Sequence, residues 1–165
     1  MSLTVNFVTW IALLSGVLAL LFAAYHAHRV NSEEPGTEKM KEISGAIHEG
    51  AMAFLASEYK IIAIVVVLLI GIIVACGFGT GNGAETLNPL TAIPYVIGAF
   101  CSVLAGNIGM RIATKANVRT ANAAQRGSNA ALGIAFSGGA VMGLCVVGLG
   151  LVGLGITFFI FYILF

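Results

Sequence analysis

Residues 109–120 read G-M-R-I-A-T-K-A-N-V-R-T, and they decide how the chain is organised. They join an uncharged apolar run, Ala92 to Met110, to a charged continuation in which Arg111, Lys115 and Arg119 recur every fourth residue. That spacing places the three cations on one stripe of a helix that keeps going past its apolar part. This is a helix leaving a membrane. Cations clustered at the end of a span mark the cytoplasmic side, so the stretch also sets the orientation of its neighbours.

Composition agrees over the whole chain. Of 165 residues, 59% are hydrophobic and 9% charged, with a mean hydropathy of +1.00, against about 25% charged in a soluble domain. The net charge of +1 matters less than its distribution. Of eighteen charged or His residues, seventeen fall within 26–60 and 111–126, and Glu85 stands alone. Cys76, Cys101 and Cys145 are odd in number and sit in apolar runs, so they read as small packing residues rather than as a disulfide or zinc framework.

Outward from the opening stretch, four apolar runs approach or exceed the roughly 20 residues that cross a bilayer: 3–25, 61–78, 92–110 and 130–165. The first is too long for a signal-peptide core of about 7 to 15 residues and is read as a retained span. The last would make a helix of roughly 54 Å, so one helix running past the bilayer is expected. The alternative, two spans, needs a turn made of glycines with nothing polar to face water. The fold expected is all-α, a polytopic transmembrane bundle forming a single region 1–165 with no separate soluble domain.

The connections set the topology. Pro35 and Gly36 end any helix running on from the first span. After them Met40, Ile43, Ile47, Phe54 and Leu55 keep a roughly helical period among Lys39, Lys41, Glu42 and Glu49. This predicts an amphipathic helix at the membrane surface, running through Glu58, Tyr59 and Lys60 into the second span. Residues 79–91, with Gly79, Gly81, Gly83, Asn82, Asn88 and Pro89, predict a short flexible loop on the opposite side. Lys and Arg number four in connection 26–60, none in 79–91 and four in 111–129. Both basic connections are therefore expected in the cytoplasm and the N-terminus outside. The compact, sparsely charged loops suit a prokaryotic cell membrane.

Several motifs carry two readings each. Gly139 and Gly143 make a G-x-x-x-G pair, which reads as close helix packing or as general glycine enrichment of membrane helices. Gly148, Gly150 and Gly153 spell a dinucleotide fingerprint by accident, since no strand precedes them and no acidic residue follows. His26 and His28 with Arg29 read as interfacial anchors, because two His at i and i+2 do not share a helix face. His48, beside Glu49, reads as a solvated surface residue. The stripe Arg111, Lys115, Arg119, with Arg126 beyond, either anchors the helix among lipid headgroups or draws an anionic substrate toward the membrane mouth.

The chain contains no Asp, and no apolar run carries a carboxylate. Magnesium-dependent phosphoryl chemistry needs convergent carboxylates, and a proton path through lipid needs an intramembrane ionisable group. No catalytic, cofactor-binding or metal-binding residue is therefore assigned within these 165 residues, and no nucleic-acid partner is expected.

The strings 109–124 (G-M-R-I-A-T-K-A-N-V-R-T-A-N-A-A), 135–144 (A-F-S-G-G-A-V-M-G-L) and 147–154 (V-G-L-G-L-V-G-L) resemble the third and fourth helices of the membrane-bound, ion-translocating inorganic pyrophosphatases. Residues 40–60 (M-K-E-I-S-G-A-I-H-E-G-A-M-A-F-L-A-S-E-Y-K) resemble that family's lead into its second helix. The resemblance implies a homodimeric pump of about sixteen spans per subunit that hydrolyses pyrophosphate at a cytoplasmic Mg2+ site and moves H+ or Na+ outward. It implies that this chain matches the first four spans, a scaffold, with the magnesium-binding Asp motifs and the ion gate on later helices. The ending F-F-I-F-Y-I-L-F fits truncation. A different reading is a complete four-span protein without enzymatic activity, such as a proteolipid-type subunit of a rotary ATPase; its missing mid-membrane carboxylate argues against it. A non-catalytic membrane interaction protein is a third.

Overall fold

The computed structural model describes residues 2–79 and 89–164. Most of the loop expected at 79–91, including Gly81, Asn82, Gly83, Glu85 and Asn88, lies outside the described residues. Four long helices carry the chain: α1 (Ser2–Ser32), α2 (Glu38–Gly79), α3 (Ala92–Ala124) and α4 (Ser128–Leu164), with a single 3-10 turn, Pro89–Thr91, leading into α3. All four are long and apolar enough to cross a membrane. Lipid offers no partner for a bare backbone amide, so uninterrupted helices are the form such sequences take.

Their ends follow local chemistry. At the end of α1 the Ser32 hydroxyl donates to the Arg29 carbonyl at 2.8 Å, giving one of the terminal carbonyls a partner. Gly36 then takes φ +86°, and a Cβ there would meet the Met40 sulfur at 2.7 Å and the Asn122 side chain at 2.8 Å. Thr37 caps α2, its hydroxyl accepting from the Met40 amide at 3.3 Å, with Glu38 in the first turn where the helix dipole favours an acid. Gly127, at φ +127°, reverses the chain between α3 and α4.

Two expectations about helix length meet the structure here. The stretch 130–165 forms one helix as far as it is described, not two spans. The amphipathic segment 39–55 runs through Glu58, Tyr59 and Lys60 into the second span as expected, in one 42-residue helix, but as a continuation of that span rather than as a helix lying on the membrane surface. Lying flat on the membrane would need a break before residue 61, and nothing in residues 56–60 supplies one. At 1.5 Å per residue α2 is about 63 Å long and α4 about 55 Å, roughly twice a hydrocarbon core of about 30 Å.

α4 lies between α1 and α3, α1 also touches α3, and among the described elements α2 packs on α3 and the 3-10 turn. The core is built from small side chains: Ala23 and Val30 of α1, Ala105, Ile112 and Ala116 of α3, Val141 and Cys145 of α4. At the α1–α4 crossing two glycines meet. A Cβ on Gly16 would sit 3.0 Å from the Gly148 carbonyl oxygen, and one on Gly148 would sit 3.0 Å from the Gly16 oxygen. Between α3 and α4, a Cβ on Gly138 would lie 2.6 Å from that of Ala116, and one on Gly153 would lie 3.1 Å from the Cys101 sulfur. Close approach of this kind is what holds helices together when lipid is as apolar as the helices themselves.

The Gly139–Gly143 pair takes no part in this packing. Nothing lies within 4 Å of a Cβ built on either, because one residue's step turns Gly139 about 100° away from the contact that Gly138 makes. With Leu132 and Phe136, 68% and 71% exposed, the pair forms an open face of α4.

Candidate functional site

The alternating helix directions bring the two charged patches of the sequence to one end of the bundle. The C-terminal turns of α1 and α3 and the N-terminal turns of α2 and α4 meet there, linked by residues 33–37 and 125–127. Contacts along α2 and α3 confirm the antiparallel register: Gly36 lies against Asn122, His48 bonds Thr114, and the Tyr59 hydroxyl donates to the Val103 carbonyl at 3.3 Å. Met142 packs against Gly109, so Arg111 sits close to the level of residue 142 on α4. The part of α4 beyond that level is about 20 residues, enough for a bilayer, and residues 128–142 overrun it on the charged side.

Three arginines of the expected stripe are committed. Arg119 donates through Nε to the Glu33 carbonyl at 2.9 Å and through Nη1 to the Lys115 carbonyl at 3.0 Å. Asn122, one turn on, donates to the Glu34 carbonyl at 3.1 Å. Arg126 pairs with the Glu33 carboxylate at 2.7 Å, and Arg111 donates to the Asn107 side-chain oxygen at 2.8 Å. Arg119, Asn122 and Arg126 thus clasp the α1–α2 linker against α3. Among the described residues the Lys115 ammonium has no partner.

The histidines also differ from a simple anchor pattern. His48, expected on a solvated face, is half-buried, with Nδ1 2.8 Å from the hydroxyl of buried Thr114. That hydroxyl also lies 3.0 and 3.1 Å from the Met110 and Arg111 carbonyls of its own helix, so Thr114 ties the His48 ring of α2 to α3. His26 makes the same arrangement with buried Ser137 of α4: Nδ1 lies 3.3 Å from the Ser137 oxygen, which donates to the Gly133 carbonyl at 2.9 Å. His28 stays exposed. Thr114, Ser137 and Asn122 were not legible as partners from sequence. The only signal was a single hydroxyl at an otherwise apolar position of a helix, and the partner His lies 66 or 111 residues away.

No group of three His, Cys, Asp or Glu side chains that could hold a metal occurs among the described residues. Three of the acids at the charged end are paired locally: Glu42 with Lys39 at 2.9 Å, Glu38 with Lys41 at 2.7 Å and Glu33 with Arg126 at 2.7 Å. The arrangement can orient helices and attract anions. It offers no carboxylate set for Mg2+.

Comparison with known proteins places this bundle. The sequence model of the inorganic H+ pyrophosphatase family matches residues 17–164. The chain is 49% identical over 150 residues to a putative K(+)-stimulated pyrophosphate-energized sodium pump of Clostridium tetani, an alignment covering 91% of this chain and 21% of that protein. It is 43% identical over 131 residues to a K(+)-insensitive pyrophosphate-energized proton pump of Methanosarcina mazei, covering 79% and 18%. A third relative, a putative K(+)-stimulated pyrophosphate-energized sodium pump of Bacteroides thetaiotaomicron, is 40% identical over 135 residues, covering 82% and 18%. The chain spans about a fifth of the length of these relatives. The match over nearly all of its helices makes this an integral membrane chain that belongs to the inorganic H+ pyrophosphatase family.

Proposed function

We propose that this chain forms the peripheral scaffold of a membrane pump that couples pyrophosphate hydrolysis to outward transport of H+ or Na+. The observation that carries the reading is the family match over residues 17–164, joined to relatives named as pyrophosphate-energized pumps. The reaction would be attack of water on magnesium-bound pyrophosphate, with carboxylates outside these 165 residues holding the metal. The described residues do not fit a magnesium site, so no step of the hydrolysis is assigned to them. Their part is to set topology and to build a stiff wall, through the glycine contacts of α1, α3 and α4 and the clasp on residues 33–37.

The active form is a homodimer, as the family resemblance implies, in the lipid bilayer of a prokaryotic cell membrane, the membrane being supported by relatives from Clostridium tetani and Methanosarcina mazei. The N-terminus lies outside, because the end carrying Arg29, Lys39, Lys41, Arg111, Lys115, Arg119 and Arg126 belongs in the cytoplasm by the positive-inside rule. Family membership leaves no place for the rotary-ATPase proteolipid reading.

The test is pyrophosphate-dependent ion uptake by inverted membrane vesicles from cells producing the full-length pump that contains these residues. Acidification or 22Na+ accumulation on adding magnesium pyrophosphate, absent from vesicles without the protein, is expected. Pyrophosphate left intact, with no gradient in either assay, would overturn the proposal.

A further inference from the structure

The clasp and the glycine contacts leave one basic concavity unused. Between the start of α2 and the exit of α3 lies a cleft of about 260 Å3, lined among others by Lys41, Ser44, His48, Lys115 and Arg119, with no carboxylate in its lining. Each polar group has capacity to spare. The Lys115 ammonium has no partner among the described residues. Among the described residues the Lys41 ammonium is held by Glu38, an i,i+3 pair whose acid is 89% exposed, a contact of little net strength that can give way. Arg119 has Nε and Nη1 on main-chain carbonyls, which fixes the guanidinium and leaves Nη2 uncommitted. His48 has Nδ1 on Thr114, which leaves Nε2 as its remaining polar atom.

We propose that this cleft binds a phosphate group. Two ammonium groups and a fixed guanidinium supply charge-assisted donors, and Ser44 adds a neutral one. Nε2 of His48 adds a further polar atom able to hydrogen-bond a phosphate oxygen or hydroxyl. The depth suits two sources with this chemistry. Lys115 is four residues past Arg111, about 6 Å along the helix, and the headgroup layer beyond the hydrocarbon is about 5–7 Å thick. The ligand is therefore either the phosphate of an anionic lipid headgroup or inorganic phosphate from solution.

Lys39, Lys41, Lys60 and Lys115 provide a local readout in the full-length pump, each signal assigned by its own Lys→Arg substitution. Reductive methylation keeps their charge and gives each a methyl NMR signal. The protein would be placed in phosphatidylcholine nanodiscs and titrated with inorganic phosphate at low salt. In a second arm, phosphatidylglycerol is introduced at increasing mole fraction without phosphate. Saturable shifts at Lys41 and Lys115, with Lys39 and Lys60 still, are expected in at least one arm. Saturation by phosphate identifies a soluble ligand, and a response to phosphatidylglycerol alone identifies a lipid. Lys115→Gln should weaken the Lys41 response at least tenfold in midpoint, and Lys39→Gln should leave it unchanged. Silence at Lys41 and Lys115 in both arms, equal shifts at all four lysines, or no effect of Lys115→Gln would each overturn the proposal.

Discussion

α4 and α2 are both single long apolar helices, yet they are held in different ways. α4 is gripped from two sides, with Gly148, Gly138 and Gly153 each notched against a neighbour and Val141 and Cys145 buried. Among the helices described, α2 packs on α3 and the 3-10 turn but not on α1 or α4, and within its described span only Leu55 is buried. An apolar cleft of about 780 Å3 opens between α2 and α3, bordered by Tyr59, Ile62, Val66, Tyr95 and Ser102. Where small residues let backbones meet, dispersion over the whole contact holds the pair. Where the glycines meet no neighbour, as at Gly45, Gly50 and Gly71 of α2, the helix depends on a few polar contacts: His48 to Thr114 and Tyr59 to Val103.

The sharpest way to break this contrast is at the glycine crossing. Gly148→Val puts branched carbon where Leu20 atoms already stand 2.8–2.9 Å from a Cβ, against a backbone that cannot retreat. A loss of about 3 kcal/mol is expected, at the upper end of ordinary overpacking, read as the midpoint of denaturation in mixed detergent. The same residue at Gly45 of α2, where a Cβ meets nothing within 4 Å, should stay within about 0.5 kcal/mol.

Next in size is the clasp. Arg119→Met removes two charge-assisted donors from the Glu33 and Lys115 carbonyls and should cost about 2 kcal/mol. Hydrogen exchange of residues 33–41 reads it, with faster exchange there and unchanged protection at the α1–α4 crossing. The α2 contact comes third. A double-mutant cycle of His48→Ala and Thr114→Ala should give a coupling of about 0.6 kcal/mol, the usual scale of such bonds in membrane proteins. A coupling indistinguishable from zero would mean that α2 is held by something other than its polar contacts.

The smallest effect is also the most selective. Gly138→Ala meets the Ala116 Cβ at 2.6 Å and should destabilise, while Gly139→Ala meets nothing and should be neutral or gain up to about 1 kcal/mol of helix propensity. Equal losses at both would show that the open face of α4 is covered in the assembled protein.

Legibility of the sequence divides along the same line. The exit at Arg111, the turn at Pro35 and Gly36 and the single long fourth helix were readable, because charge and chain reversal leave local marks. That 39–55 stands in line with the second span rather than along the membrane surface was not, since an amphipathic pattern does not distinguish a helix on a membrane from one standing beside another helix. His48 looked solvated because its partner, Thr114, lies on a different helix. Arg119 looked like a headgroup anchor because a main-chain carbonyl 86 residues away leaves no trace in composition.

By itself the sequence determined four membrane-crossing helices, the gathering of charge toward one side and, through 40–60, 109–124 and 135–154, the family. Lipid imposes these strongly: an apolar run without breakers must be helical, and charge must stay outside it. Only the tertiary structure decided which glycine meets which backbone, that Gly138 rather than Gly139 faces α3, and that Lys41, His48 and Lys115 share a cleft. Those outcomes depend on how each helix is rotated and how deep it sits. In a solvent as apolar as the helices themselves, no hydrophobic stripe marks the inner face, so rotation and depth are settled by steric fit and a few polar contacts between distant residues.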